Sequence, residues 1–244
     1  MALEDVPAAA QELGYRAVEI DDAHLLQRAA AWRLRHPRFR DYTTARLLRL
    51  HAAFERAGTR LVAWTAHTDF TLTERAARWQ LHYLEGAIAT ANDFGARLVC
   101  IRAGGSEDPT QDEMLRCLSG LRAAAQLAER FRTRLALENG LGITQSVERT
   151  AQLLREINSP YLGACLRFDA EDSVALAPFA IHAHALSHAF DSQGRETTAD
   201  YPACMAALRD ANFNGWISIQ YEGDAEPAFG IVQTAELISA LASS

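Results

Sequence analysis

Short, almost wholly apolar runs alternate with longer segments of helical spacing, and this alternation constrains the fold more than any other feature of the sequence. Apolar runs of this length are typical of strands buried on both faces of a sheet. Strands that alternate with helices predict βα units, a parallel sheet and the α/β class. The seven predicted strands are Tyr15–Ile20, Leu61–Ala66, Arg97–Ile101, Arg134–Glu138, Leu162–Phe168, Ala180–Leu186 and Trp216–Gln220.

The segments around these strands carry helical spacing, and a helix precedes the first strand. Gly14, Gly58 and Gly95 stand just past predicted helix ends, where a left-handed cap favours glycine. Thr110 precedes an acidic first turn and is a predicted N-cap. The predicted helices are Leu3–Leu13, Thr44–Ala57, Thr73–Phe94, Gln111–Phe131, Val147–Ile157, Asp200–Ala211 and Ala228–Leu241.

Seven strands are one fewer than a closed (β/α)8 TIM barrel requires. Three interpretations stay open: the true start lies upstream of the first residue, the barrel is open, or another chain completes it. No linker or low-complexity segment interrupts the sequence, so residues 1–244 are predicted to form a single domain.

The composition excludes several classes of function. A net charge of -7 argues against binding to nucleic acid or to an anionic membrane. There is no run of ~18 apolar residues that could span a membrane, and the acidic start lacks a signal-peptide core. The 4 cysteines form no C-x-x-C pair and are interpreted as reduced core residues of a cytoplasmic protein. All 24 basic residues are arginine, which excludes a Schiff-base or P-loop lysine, and no nucleotide cofactor is predicted.

Four strands end in polar residues that look like a metal site with half of its ligands changed: Glu138, Arg167, His184 and Gln220. Carboxylate and imidazole groups are good ligands for a divalent metal. An amide is a poor ligand, and a guanidinium repels a cation. The function therefore depends on whether these residues still bind a metal or have been rebuilt for another use.

Other strand ends carry residues that we predict, together with Arg167 and Gln220, to contact a substrate, each weighed against a structural role. Glu19, His67 and Arg102 lie at the ends of the first three strands. Glu222 shares the strand parity of Gln220 and lies one step beyond it.

The segment Arg28–Arg49 holds seven arginines interleaved with aromatic residues. It follows the first strand, and it is interpreted either as an anion-binding lid or as a solvated surface loop and helix.

The order of these motifs resembles the xylose-isomerase-like TIM barrels, a family of sugar-phosphate isomerases and epimerases with AP endonucleases as distant relatives. The resemblance runs nearly from end to end. It is carried by Leu135-Ala-Leu-Glu-Asn-Gly, by His184-Ala-Leu-Ser-His-Ala-Phe-Asp-Ser-Gln-Gly-Arg-Glu and by Asn214-Gly-Trp-Ile-Ser-Ile-Gln-Tyr-Glu-Gly.

The resemblance implies a divalent metal, such as Mn, Mg, Co or Zn, held by Glu, Asp, His and Glu from four successive strands. Glu138 matches the first glutamate and His184 the histidine, whereas the aspartate position holds Arg167 and the second glutamate position holds Gln220. Asp169 replaces the aspartate if the register slips. The family's two glutamates exchange a proton with the carbon beside a carbonyl, so Glu138 is the candidate base and His184 the candidate ligand or acid.

Two functional hypotheses remain. The first is an isomerase, epimerase or lyase that acts on a small sugar, polyol or hydroxy acid through Glu138 and His184, with a weakened metal site or none. The second is an inactive or metal-free barrel that binds an anionic small molecule through Arg167 and Arg102, or serves as an accessory subunit. A DNA-repair nuclease is disfavoured because the sequence offers too few metal ligands. Self-association into a homo-oligomer is expected from the resemblance.

Overall fold

The computed structural model describes residues 2–23, 44–170 and 172–243. The first three strands are β1 (Ala17–Asp21), β2 (Arg60–Ala66) and β3 (Leu98–Ile101). The other four are β4 (Arg134–Glu138), β5 (Leu162–Arg167), β6 (Ala180–Ser187) and β7 (Trp216–Tyr221). All seven predicted strands are present, with ends that differ by no more than two residues.

The helices of the described residues also follow the predictions closely. They are α1 (Val6–Glu12), α2 (Thr44–Ala57), α3 (Glu74–Asp93), α4 (Gln111–Phe131), α5 (Val147–Ile157), α6 (Tyr201–Asp210) and α7 (Pro227–Ala242). The predicted helix Leu3–Leu13 is divided, because Leu3–Asp5 forms a 3-10 helix before α1. Residues 24–43, most of the arginine-rich segment, lie outside the described residues, whereas Arg46 and Arg49 lie on α2 near Glu4 at 3.6 and 3.8 Å.

The strands follow chain order through the sheet, from β1 to β7. The pairs β1–β2, β2–β3, β5–β6 and β6–β7 are parallel, as expected for strands joined by helices. The predicted α/β class and its seven strands are confirmed.

Contacts along the chain define two compact units, and the single domain remains a prediction. The first unit comprises Met1–Gly105 and Pro109–Leu135. The second unit comprises Ser106–Asp108 and Ala136–Ser244. The site residues of each unit are described separately below.

The first unit buries apolar side chains between its strands and α2, α3 and α4, including Leu50, Trp64 and Leu84 at 0% exposure. The ends of its helices have the predicted capping residues. Gly58 and Gly95 adopt φ of 64° and 82° just after α2 and α3, where a side chain would be strained. The Thr110 side chain accepts a hydrogen bond from the Glu113 amide, so the predicted N-cap of α4 is confirmed.

The second unit packs β5 and β6 against α6 and a short 3-10 helix, Ser173–Phe179. That 3-10 helix occupies the place where the sequence leaves little room for a full helix between β5 and β6. Phe168 and Tyr201 meet edge to face with ring centroids 5.0 Å apart and anchor this core. The cluster therefore holds the carboxyl end of β5, and the residues just beyond it, in a fixed position.

All four cysteines (Cys100, Cys117, Cys165 and Cys204) are buried and lie outside disulfide bonds. Burial raises the pKa of Cys117 to about 12 and that of Cys204 to about 11, so both thiols stay neutral at physiological pH. None of the helices in the described part of the chain combines the length and the apolar character that a membrane crossing requires.

Candidate functional site

Glu138 and His184 form a buried pair in the second unit. Glu138 is the last residue of β4, and His184 lies in the carboxyl half of β6. His184 Nδ1 lies 3.8 Å from Glu138 Oε1, and both side chains are only 3% exposed. A carboxylate is costly to bury unless a polar group or a charge compensates it. The two candidate catalytic residues therefore lie beside each other, and their catalytic role stays a prediction.

Arg167 ends β5 and is held by Asp169. The guanidinium Nε and Nη2 donate to the two carboxylate oxygens of Asp169 at 3.1 and 2.7 Å, which is a bidentate pair. Burial disfavours the charged form, but the Asp169 carboxylate and the Glu138 charge together hold the pKa of Arg167 above its ordinary value. Arg167 stands at the position where the resemblance expects an aspartate, and the Asp169 carboxylate neutralises its charge.

A second layer of polar side chains lies two residues earlier on the same strands. In the β5–β6 register Cys165 pairs with His182 and Arg167 with His184. His182 Nε2 lies 3.2 Å from Ser218 Oγ on β7. The His182 and His184 rings meet edge to face with centroids 5.2 Å apart. Three buried nucleophilic or basic groups, those of Cys165, His182 and His184, therefore line this part of the second unit.

The remaining predicted residues of the second unit lie near these strand ends. Gln220 is partly exposed on β7, and Ser187 donates to its backbone oxygen at 3.4 Å. Glu222 is exposed beyond the end of β7. Asn139 is fully buried, and its side-chain oxygen accepts from the Arg167 amide at 2.9 Å, which ties the end of β4 to β5.

In the first unit, His67 joins two charged side chains. His67 Nε2 lies 2.8 Å from Asp21 Oδ1, and Arg102 Nη1 lies 3.0 Å from His67 Nδ1. The hydrogen bond with Asp21 raises the pKa of His67 against the effect of burial. Since a guanidinium only donates, this geometry assigns the lone pair to Nδ1 and the proton to Nε2. Protonation of Nδ1 would break the Arg102 contact.

Asp22 and Glu19 complete the polar residues at the β1 end. The Tyr83 hydroxyl donates to Asp22 Oδ2 and also accepts from the His67 amide. Asp22 is fully buried, and burial raises its pKa to about 6. Glu19 Oε1 accepts from Thr65 Oγ1 at 2.5 Å.

Sequence reasoning missed Asp21, Asp22 and Tyr83. It ended the first strand at Ile20, whereas Asp21 still pairs with Thr65 of β2. Strand parity offered a signal, because Asp21 lies two residues after Glu19 and so shares its face. Tyr83 lies in the middle of α3 and carried no such signal.

The divalent metal that the resemblance implies fits these residues only in part. Glu138 and His184 are present, but position 167 holds a guanidinium and position 220 an amide. Asp169, the possible replacement ligand, has both carboxylate oxygens bonded to Arg167. The residues therefore do not make the four-ligand, carboxylate-rich site, and no reaction step is assigned to a metal there.

Comparison with known proteins identifies the fold. The family model described as the xylose isomerase-like TIM barrel matches residues 7–241. The TIM barrel predicted from the strand-end motifs is thereby confirmed. No curated protein matches the sequence at a significant level.

Solved structures with the same fold include an epimerase, a protein with a bound zinc atom and a probable dehydratase. A 3-keto-D-glucoside 4-epimerase from E. coli is 15% identical with a TM-score of 0.74, covering 98% of this chain and 94% of that one. The IOLI protein, solved with a zinc atom, is 14% identical with a TM-score of 0.70, covering 99% and 92%. The probable 3-DHS dehydratase AsbF from Bacillus anthracis is 18% identical with a TM-score of 0.69, covering 97% and 92%. At these identities the likeness is one of fold.

Proposed function

Because the chain belongs to the xylose isomerase-like TIM barrel family, we propose that it is an isomerase, epimerase or lyase acting on a small sugar, polyol or hydroxy acid. The observation that carries this proposal is the buried pair of Glu138 and His184. A carboxylate enclosed beside an imidazole is suited to moving a proton to and from a carbon acid.

In the proposed reaction Glu138 removes the proton from the carbon next to a carbonyl group. The charge that develops on the carbonyl oxygen is stabilised by His184, which donates a proton or a hydrogen bond to it. Both side chains are almost fully buried, so water is excluded and the electrostatic interactions are strengthened.

The loss of the second carboxylate narrows the reaction type. A symmetric epimerisation uses one base on each face of the carbon, and Gln220 cannot act as a base. A lyase or dehydratase needs only one carboxylate that transfers a proton. Glu138 takes the proton from carbon and returns it to the departing hydroxyl group, which leaves as water, while His184 stabilises the charge on the carbonyl oxygen. We therefore favour the elimination of water from a hydroxy-carbonyl compound over two-base epimerisation.

The alternative function, metal-free binding of an anionic small molecule, is less well supported. Arg167 was its main candidate grip, but Asp169 already takes up two of its donor groups. Arg102 donates to His67 Nδ1 and lies in the first unit. An anion at Arg167 would have to compete with a bidentate carboxylate for the charge of the guanidinium.

The proposal is tested by proton exchange, which does not require the full substrate to be known. The protein is incubated in D2O with a panel of ketoses, aldoses, keto-polyols and hydroxy acids, and carbon-bound deuterium is measured by NMR. Substitution Glu138→Gln should lower exchange at least ~100-fold, and His184→Gln should lower it by a similar factor.

The control is Glu156→Gln, which changes an exposed carboxylate on α5 of the same unit. It should leave exchange unchanged. If no member of the panel exchanges, or if Glu138→Gln exchanges at the wild-type rate, Glu138 is not the base and the proposal fails. Cytoplasmic location, a small-molecule partner and homo-oligomer formation are parts of the same proposal, and size-exclusion chromatography with light scattering tests the last.

A further inference from the structure

We propose that the second unit holds a metal site for a thiophilic divalent cation such as zinc, formed by Cys165, His182 and His184. This Cys-His-His cluster differs from the carboxylate-rich set that the family resemblance implies, and it shares only His184 with that set. The inference goes beyond the proposed reaction. A bound ion would compete with a substrate for His184, so metal binding is measured without a substrate and proton exchange on metal-free protein.

The strand register places the three side chains together. Cys165 pairs with His182 across β5 and β6, and His184 lies two residues further on the same face of β6. One donor atom from each of the three residues lies within 4.8 Å of the others. Ligands of a tetrahedral zinc lie about 3.3–3.8 Å apart, given Zn–N and Zn–S bonds of about 2.0–2.3 Å. The donor atoms are therefore at most about 1.5 Å farther apart than the ligands of a bound zinc.

Each histidine already has an oxygen partner for its other ring nitrogen. His182 Nε2 lies 3.2 Å from Ser218 Oγ, and donation to this hydroxyl assigns the lone pair to Nδ1. His184 Nδ1 lies 3.8 Å from Glu138 Oε1, and an approach of about 1 Å would let Nδ1–H donate to that carboxylate and leave Nε2 for an ion. Metal-binding histidines almost always have such an outer partner, which fixes the tautomer and raises the basicity of the ligand.

The charges around the cluster balance when a divalent ion is present. The Cys165 thiol must lose its proton to bind, so the ion's two positive charges are matched by the thiolate and the Glu138 carboxylate. Arg167 does not upset this balance, because Asp169 neutralises it through two hydrogen bonds. Cys165, His182 and His184 are all 0–2% exposed, so an unbalanced charge there would be costly. Since one proton is released, the affinity should rise with pH.

The other thiol of the second unit lacks this setting. Cys204 lies in the apolar core beside Ser173 and the Phe168 backbone oxygen, and its raised pKa keeps it protonated. Cys204→Ser is therefore a matched control for Cys165→Ser, because both substitutions change a buried thiol of the same unit.

The test uses Co²⁺ as a spectroscopic substitute for zinc. The full-length protein is treated with a chelator, titrated with Co²⁺ and monitored for the near-ultraviolet band of a cobalt–thiolate bond, while circular dichroism confirms that each variant is folded. Wild type and Cys204→Ser should show the band at one equivalent, and Cys165→Ser should lose it. Ser218→Ala should keep the band but weaken Co²⁺ binding about tenfold or more.

The outcomes separate this inference from the proposed reaction. Glu138→Gln should abolish proton exchange yet keep the cobalt–thiolate band, because Glu138 is an outer partner and not a ligand. No band in the wild-type protein, or a band that survives in folded Cys165→Ser, overturns the metal site. Should Cys165→Ser fail to fold, the same Co²⁺ titration is made on Cys165→Ala: a lost band supports the site, and a surviving band overturns it.

Discussion

Each unit has a histidine beside a carboxylate at a strand end, and the two pairs differ in burial and in closeness. In the first unit His67 and Asp21 are 2.8 Å apart and 32% exposed. In the second unit His184 and Glu138 are 3.8 Å apart and 3% exposed. The first pair is a direct hydrogen bond completed by Arg102, whereas the second is too long to be one. The first pair is thus joined by a direct hydrogen bond, whereas the second is a longer and almost fully buried contact, which suits a site that takes up a substrate or an ion.

The largest expected effect tests whether residues 167 and 220 determine the affinity of the second unit for divalent cations. The double substitution Arg167→Asp with Gln220→Glu removes one positive charge and adds two carboxylates. Loss of a single outer partner costs a metal site about 10–100-fold in affinity, so gaining two direct ligands should strengthen Mn²⁺ binding by more than about 100-fold. Titration calorimetry checks this, and equal affinity in wild type and variant would show that these positions are not the changed ligands.

In the first unit Asp22 is the carboxylate whose ionisation should change the stability of the fold most. Its pKa is raised from 3.8 to about 6 by burial. A raised pKa means that the stability contributed by the neutral form is fully present below about pH 4 and is lost as the pH rises through 6. This rise in the pKa corresponds to about 3 kcal/mol at most. Asp22→Asn, which stays neutral and keeps an oxygen for Tyr83, should therefore be more stable than wild type at pH 7.5.

The control for this prediction is the pH itself. At pH 4 the wild-type Asp22 is already neutral, so the advantage of Asp22→Asn should disappear in urea unfolding. A gain of the same size at both pH values would mean that packing, and not the buried charge, separates the two proteins.

A smaller effect is expected from the Arg167–Asp169 pair in the second unit. The side chains are 17% and 19% exposed, so Asp169→Asn leaves a mostly buried guanidinium without its charged partner. We expect a loss of about 2 kcal/mol in the free energy of unfolding, less than for a fully buried pair. Arg167→Met combined with Asp169→Asn should recover most of that loss, and a double variant as unstable as the single one would contradict this reasoning.

How far the sequence predicted the molecule depended on the kind of signal. The strands and helices were predictable because the spacing of apolar residues and helix caps such as Thr110 depend only on residues that are close in the sequence. The proximity of Glu138 and His184 was predictable because the carboxyl ends of parallel strands lie at one edge of the sheet. The bond between Arg167 and Asp169 was not, since parity places both residues on one face but does not fix their rotamers. Tyr83 was missed because a contact from a helix to a strand end leaves no periodic trace.

The smallest expected effect concerns the His67–Asp21 pair. The pKa of His67 is raised, chiefly by its hydrogen bond with Asp21, so its contribution to stability is present below about pH 6.5 and lost as the pH rises through the folded value. The pKa of Asp21 is lowered, because the hydrogen bond and charge of His67 outweigh burial, so its contribution is present above about pH 4 and lost below. The pair therefore stabilises the fold most between these limits.

Asp21→Asn should cost about 1 kcal/mol at pH 5.5 and less at pH 8.5, a value reduced because both side chains are one-third exposed to solvent. Urea unfolding at pH 5.5 and at pH 8.5 measures this loss in the free energy of unfolding. The same two measurements on His184→Gln give the loss for the pair in the second unit. The ¹⁵N shifts of His67 should also show the Nε2–H tautomer at pH 8.5, since only that tautomer accepts from Arg102. Equal losses at both pH values together with an Nδ1–H tautomer would mean that a direct hydrogen bond does not distinguish the first pair from the second.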